Sequence, residues 1–233
     1  MRAFTEKHGL FVARLDATER EVVAALVADV AELLGADRFD DAPRPGDQGE
    51  PAGASTVPTA PVPTGPAAPV LRTEDVPPPE DPAVRRLLPD ASRDDPAVAA
   101  EFRRLTEDDL RAGKVARLRV LWGLLTAPGG GRRHDGLSVS PAQAPDVAAA
   151  LTDLRLVLAE RLDVRTDEDA ERLYDVLGDD DAPGRGPGTD VRRYLVALYG
   201  ALSWLQESLV GLMLDHARHA RGSGSSGRPT SGG

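Results

Sequence analysis

Eleven of the 44 residues from position 37 to 80 are proline, and this stretch constrains the chain more than any other feature. It carries three basic and eight acidic residues, and Phe39 is its one aromatic. Gly, Ala, Ser and Thr fill most of the rest. Such a segment cannot bury enough apolar surface to offset the entropy of ordering it. It reads as a long disordered insertion, stiffened in polyproline fashion around Pro58 to Pro69. The organisation then depends on whether the sequence before the insertion belongs with the sequence after it.

Residues 1–36 predict a short β-hairpin and a helix. Arg2 to Thr5 and Leu10 to Leu15 read as strands around Glu6-Lys7-His8-Gly9. Asp16, with Glu19 three positions on, has the form of a capping box. Val23, Val27, Val30 and Leu34 then recur at helical spacing, and Gly35 stands where a C-terminal cap belongs. A helix of about 16 residues is marginal alone in water. Burying one Val or Leu contributes roughly 1.5–3 kcal/mol, while closing a long loop costs only logarithmically more with its length. The apolar stripe is therefore expected to dock onto helices beyond residue 81.

From Asp81 onward the punctuation is helical. Asp81-Pro82 opens a short helix through Leu88, and Asp95-Pro96 a second with Val98, Phe102 and Leu105 on one face. Thr106 reads as an interrupting N-cap, with a further helix over 107–126. Ser140-Pro141-Ala142-Gln143 precedes a stripe of Val147, Leu151, Leu154, Leu158 and Leu162. Thr166 with Asp169 starts a shorter helix ending at Gly178. The last helix, about 190–218, has the clearest seam: Val191, Leu195, Leu198, Leu202, Leu205, Leu209 and Leu212. Such a seam wants a partner helix, either within the chain or in a homodimer. The reading is a mainly α fold: a single helical-bundle domain with a short N-terminal β-hairpin. Residues 1–36 and 81–219 form its two parts, 37–80 the insertion, and 220–233 a disordered Gly/Ser tail.

The 233 residues contain no cysteine and carry a formal net charge of −10. Disulfides, thiol nucleophiles and cysteine-based zinc sites are excluded, and the acidity disfavours indiscriminate nucleic-acid binding. Residues 1–15 lack the apolar core of a signal peptide. No apolar run approaches the roughly 20 residues of a membrane span. The expectation is a cytoplasmic protein.

Few residues suggest chemistry. Gly129 to Gly136 lacks the Lys-Ser/Thr ending of a phosphate loop, Asp179-Asp180-Asp181 lacks the ligand pattern of a calcium loop, and Gly222-Ser223-Gly224 has no strand leading into it. Asp215, His216 and His219 offer three ligand types at helical spacing, with His216 and His219 on neighbouring positions of one face, but a metal would need further ligands from elsewhere. No cofactor, catalytic residue or metal site is assigned. The candidate partner-binding residues are Arg103, Arg104, Arg111, Lys114, Arg117 and Arg119, in the one net-positive helical stretch, together with Trp204. The bases spread around the helix, which favours a salt-bridged surface over a DNA contact. Trp204 is displaced from the seam, and an exposed Trp there would mark an interface.

Several stretches resemble an actinobacterial family labelled a domain of unknown function and associated with the oxidative-stress regulator AosR. They are Phe11-Val12-Ala13-Arg14-Leu15-Asp16, Arg86-Leu87-Leu88-Pro89-Asp90-Ala91, the run from Glu101 to Arg111, Leu154-Arg155-Leu156-Val157-Leu158, and Trp204-Leu205-Gln206-Glu207-Ser208-Leu209. The resemblance implies a cytoplasmic regulator acting on transcription. Sensing of oxidant through paired cysteines does not carry over to a chain that has none, and Met1 and Met213 cannot form a disulfide in their place. The leading expectation is a non-enzymatic, stress-related transcriptional regulator acting through protein contacts, with the transcription machinery as partner. Direct DNA binding by the Arg103–Arg119 stretch and a metal-dependent enzyme using His216 and His219 are the alternatives.

Overall fold

The structure is a computed structural model that describes residues 1–37, 39, 76–127, 136–178 and 187–224. Strands β1 (Thr5–Lys7) and β2 (Leu10–Ala13) pair antiparallel, with Lys7 opposite Leu10 and Thr5 opposite Val12. The connection is only His8-Gly9, both left-handed with φ of 51° and 76°, as the tight turn matched to strand twist requires. That two-residue turn moves the first strand from the expected Arg2–Thr5 to Thr5–Lys7, because Glu6 and Lys7 pair instead of turning. A third strand, β3 (Leu137–Val139), adds antiparallel to the far side of β2. Three residues carry too little periodicity to be read in advance. Phe11, Ala13, Leu137 and Val139 are all buried, so β3 gives the hairpin the cover it lacks alone.

Gly136 makes this junction possible. A Cβ there would collide with the backbone carbonyl of Ala13, and backbone cannot give way as a side-chain end can. Gly136→Ala is expected to cost about 2 kcal/mol, read as a lower urea midpoint.

Helix α1 (Ala17–Leu33) begins with the capping box. The Glu19 N–H donates to Asp16 Oδ1 at 2.8 Å, and the Asp16 N–H to Glu19 Oε2 at 2.9 Å. The N-terminal ammonium of Met1 pairs with the same Glu19. At the other end the Gly35 N–H donates to Glu32 O and the Ala36 N–H to Ala31 O. This is the paired C-terminal bonding that a left-handed Gly35, φ 82°, permits. Val23, Val27, Val30 and Leu34 are buried.

Helix α2 (Pro82–Leu87) is capped by Asp81, which accepts from the Ala83 N–H and from Arg161 Nη2, both at 2.7 Å. The hydrogen bond from Arg161 is the chief reason the Asp81 pKa is lowered. The cap's contribution is thus present above the ordinary carboxylate range and lost as pH falls through the lowered folded value.

Helix α3 (Pro96–Thr126) is continuous, where a break at Thr106 was expected. The Thr106 hydroxyl donates to the Phe102 carbonyl at 2.8 Å, four residues back, instead of capping a new helix. Arg111 and Glu107 bridge the next turn at 2.6 Å. Helix α4 (Ala144–Arg161) follows the Ser140–Gln143 turn, in which the Ser140 hydroxyl donates to Gln143 Oε1 at 2.8 Å. Helix α5 (Asp167–Gly178) starts at the expected Thr166–Asp169 pair.

Helix α6 runs from Pro187 to Gly224, past the expected end near 218 and into the stretch read as a tail. Ala220 and Arg221 are good helix formers and nothing before them stops the helix. Residues 225–233 lie outside the described residues, as do the glycine-rich connection over 129–135 and the acidic turn at 179–181.

The elements form one continuous hydrophobic core drawn from both sides of the insertion. Helix α1 packs along α3 and touches α4, α3 packs on α4, and α2 lies against α4. The α6 seam is filled by α4: Leu198, Leu202, Leu205 and Leu209 are buried, whereas Val191 at its start is exposed. Helix α6 also corrects one expectation. Its stretch Asp190–His219 has a mean hydropathy of 1.3 and is long and apolar enough to cross a membrane by length and composition.

The insertion is narrower than 37–80. Phe39 is buried, edge-on to the Trp122 ring at a centroid distance of 5.8 Å. At the other end the Val76 carbonyl accepts from Arg103 Nε at 3.2 Å. Residues 38 and 40–75 lie outside the described residues.

Candidate functional site

The six basic candidates on α3 do not form a shared surface. Arg103 pairs with Asp90, its side chain only 10% exposed. Arg104 grips Glu101 through two hydrogen bonds, at 2.9 and 2.6 Å, and that contact is the main reason the Glu101 pKa is lowered. Arg111 holds Glu107 and also donates to the Leu34 carbonyl at 3.1 Å, tying α3 to the C-terminus of α1. Lys114 reaches across to Asp153 of α4 at 2.6 Å, inside the structure. Arg117 lies 3.7 Å from Asp146. The Arg119 guanidinium stacks 5.0 Å above the Phe39 ring. Five of these cations face a carboxylate of their own chain and the sixth covers an aromatic ring.

Trp204 is placed differently. It stands 56% exposed on α6, on the side turned away from the buried seam, while Trp122 is half-buried against Phe39. Val210 and Leu214 are exposed farther along the same helix. A second apolar row lies on the first half of α3, where Val98, Phe102 and Leu105 stand exposed at steps of four and three.

The His216 ring meets Phe11 edge-on at 6.1 Å. His219 Nδ1 lies 2.7 Å from the Asp215 carbonyl, and the Asp215 carboxylate accepts from Arg218 at 2.7 Å. Among the described residues there is no group of three or more metal-ligating side chains that could hold an ion.

The family model described as Domain of unknown function (DUF2017) matches residues 1–213. The chain belongs to the DUF2017 family. No curated protein and no solved structure matches it.

The DUF2017 match spans both sides of the proline-rich stretch and includes Trp204 and all six α3 cations. It also includes a polar cluster that spacing alone did not reveal. Arg155 of α4 donates from Nη1 to Gln206 Oε1 of α6 at 2.5 Å, and Gln206 Nε2 donates to Thr152 Oγ1 at 2.5 Å. The Arg155 guanidinium sits 5.4 Å above the Tyr199 ring. In the sequence, Arg155 reads as one charge in a leucine-rich helix and Gln206 as a polar neighbour of Trp204. Their meeting depends on how α4 and α6 cross.

Proposed function

We propose that this DUF2017 protein is a non-enzymatic, stress-related regulator in the cytoplasm that acts by contacting a protein of the transcription machinery. The observation that carries this reading is Trp204. An indole more than half exposed on a core helix leaves a large apolar surface in water, and Trp is enriched among the residues that dominate protein interfaces. The resemblance to the family associated with AosR supports the regulatory role. Direct DNA binding by α3 has less support, because its cations already face carboxylates of the same chain.

Trp204→Ala tests the reading. Capture from the native host with the wild-type chain is expected to recover a transcription component. Its affinity for the purified chain is expected to fall by about 30-fold or more in the variant, the scale of an interface anchor. Folding stability is expected to change by less than about 1 kcal/mol, because the side chain is mostly outside the core. Recovery of no transcription component, or equal binding by the variant, would reject the proposal. Under the DNA alternative, a gel shift at low salt would appear and weaken steeply as salt rises.

A further inference from the structure

We infer that the junction of α2, α4, α5 and α6 is a binding site for a small monocarboxylate. A solvent-connected cavity of about 170 Å³ lies there, and three arginines from separate segments line it: Arg86, Arg155 and Arg165. Thr152, Thr166 and Tyr199 add polar groups to its wall, and Leu156, Val164 and Ala170 supply apolar surface.

Two of the three arginines are matched by carboxylates, Arg86 by Glu160 and Arg165 by Asp163, Glu160 and the nearby Asp169, whereas Arg155 is not. Arg86 donates to Glu160 at 3.2 Å and to the Val164 carbonyl at 2.9 Å. Arg165 donates to Asp163 at 2.8 Å and lies 3.8 Å from the same Glu160. Arg155 has only neutral partners among the described residues: the Gln206 amide and the face of Tyr199. Its Nε is buried and has no hydrogen-bond partner. A half-buried guanidinium that has no carboxylate partner gains from a single negative charge beside it. With Nη1 held by Gln206 and Nε closed off from solvent, Nη2 is left to donate a charge-assisted hydrogen bond to a carboxylate.

Size and lining narrow the ligand. A cavity of about 150 Å³ accommodates a molecule the size of benzene, so this one suits a carboxylate bearing a short hydrocarbon chain. The apolar wall from Leu156, Val164 and Ala170 favours such a chain over water. This inference does not rest on the transcription reading, since Trp204 does not line the cavity.

The full chain titrated calorimetrically with butyrate, acetate and inorganic phosphate tests it. Butyrate is expected to bind with a Kd of about 1 mM or tighter, with acetate about tenfold weaker for its two missing methylenes. Phosphate is expected to bind more weakly than butyrate. Arg155→Gln is expected to weaken butyrate at least about tenfold by removing the unpaired charge. Should that variant not fold, Ala170→Leu, which fills the cavity from α5 and leaves Arg155 in place, is expected to produce a similar loss. Three results would overturn the proposal: no butyrate binding by the wild-type chain, phosphate binding as tight as butyrate, or unchanged butyrate affinity in the folded variants.

Discussion

A Val27→Asp variant is expected to lose its folded state. Val27 is completely buried on the α1 face that also buries Val23, Val30 and Ala31, and α1 packs along α3. The substitution removes the burial of a valine, about 1.5–3 kcal/mol, and places a carboxylate without a partner in the core. Together these exceed about 4 kcal/mol, a large part of the roughly 5–15 kcal/mol that holds a domain folded. Helix α1 has little independent stability with which to compensate. Circular dichroism and urea denaturation check this, with Val27→Ala as a milder control expected to cost about 2 kcal/mol. A wild-type urea midpoint for Val27→Asp would mean that α1 does not dock on the helices beyond the insertion.

Lys114→Ala is expected to cost about 3–5 kcal/mol, far more than loss of a surface charge. Its ammonium is the cation for Asp153, whose side chain is only 4% exposed and whose Oδ2 already has no hydrogen-bond partner. Removing the lysine leaves that carboxylate buried and uncompensated. Truncating Lys114 alone should therefore be much worse than replacing both partners. The double variant Lys114→Met with Asp153→Leu is expected to recover most of the lost stability, because two apolar groups of similar volume owe no desolvation cost. Urea denaturation of the single and double variants checks this. Equal losses in both would show that Lys114 matters for packing and not for charge.

The two variants separate what could be read from residue order and what could not. The Val27 stripe was legible because its signal is local: a four-three spacing, a capping box at one end and a glycine at the other. The Lys114–Asp153 pair was not, because its members lie 39 positions apart and meet only where α3 crosses α4. Lys114 instead read as one of several bases spread around a helix. Thr106 misled for a related reason. A threonine ahead of three acidic residues has the local form of a helix start, but its hydroxyl bonds back to Phe102 and the long helix continues. Phe39 looked like a stray aromatic in proline-rich sequence until Trp122 and Arg119 were found around it.

The same distinction holds for the candidate sites. Position on the helix suggested that Trp204 lies off the seam, but its exposure depends on α4 filling that seam and leaving the opposite face open. The Arg155 cavity had no sequence signal, since its lining comes from four elements and Arg155 is left without a carboxylate partner only once those elements pack together.

By itself, the order of residues determined the helical class, the hairpin, most helix ends and the buried stripes of α1, α4 and most of α6, though not the exposure of Val98, Phe102 and Leu105 on α3, because caps and periodicity act within a turn or two of the backbone. Only the tertiary structure decided which cations are neutralised, where β3 attaches, how far the core reaches into the proline-rich stretch and which aromatic faces water. Each of those depends on contacts between distant segments, and such contacts exist only once the helices have crossed.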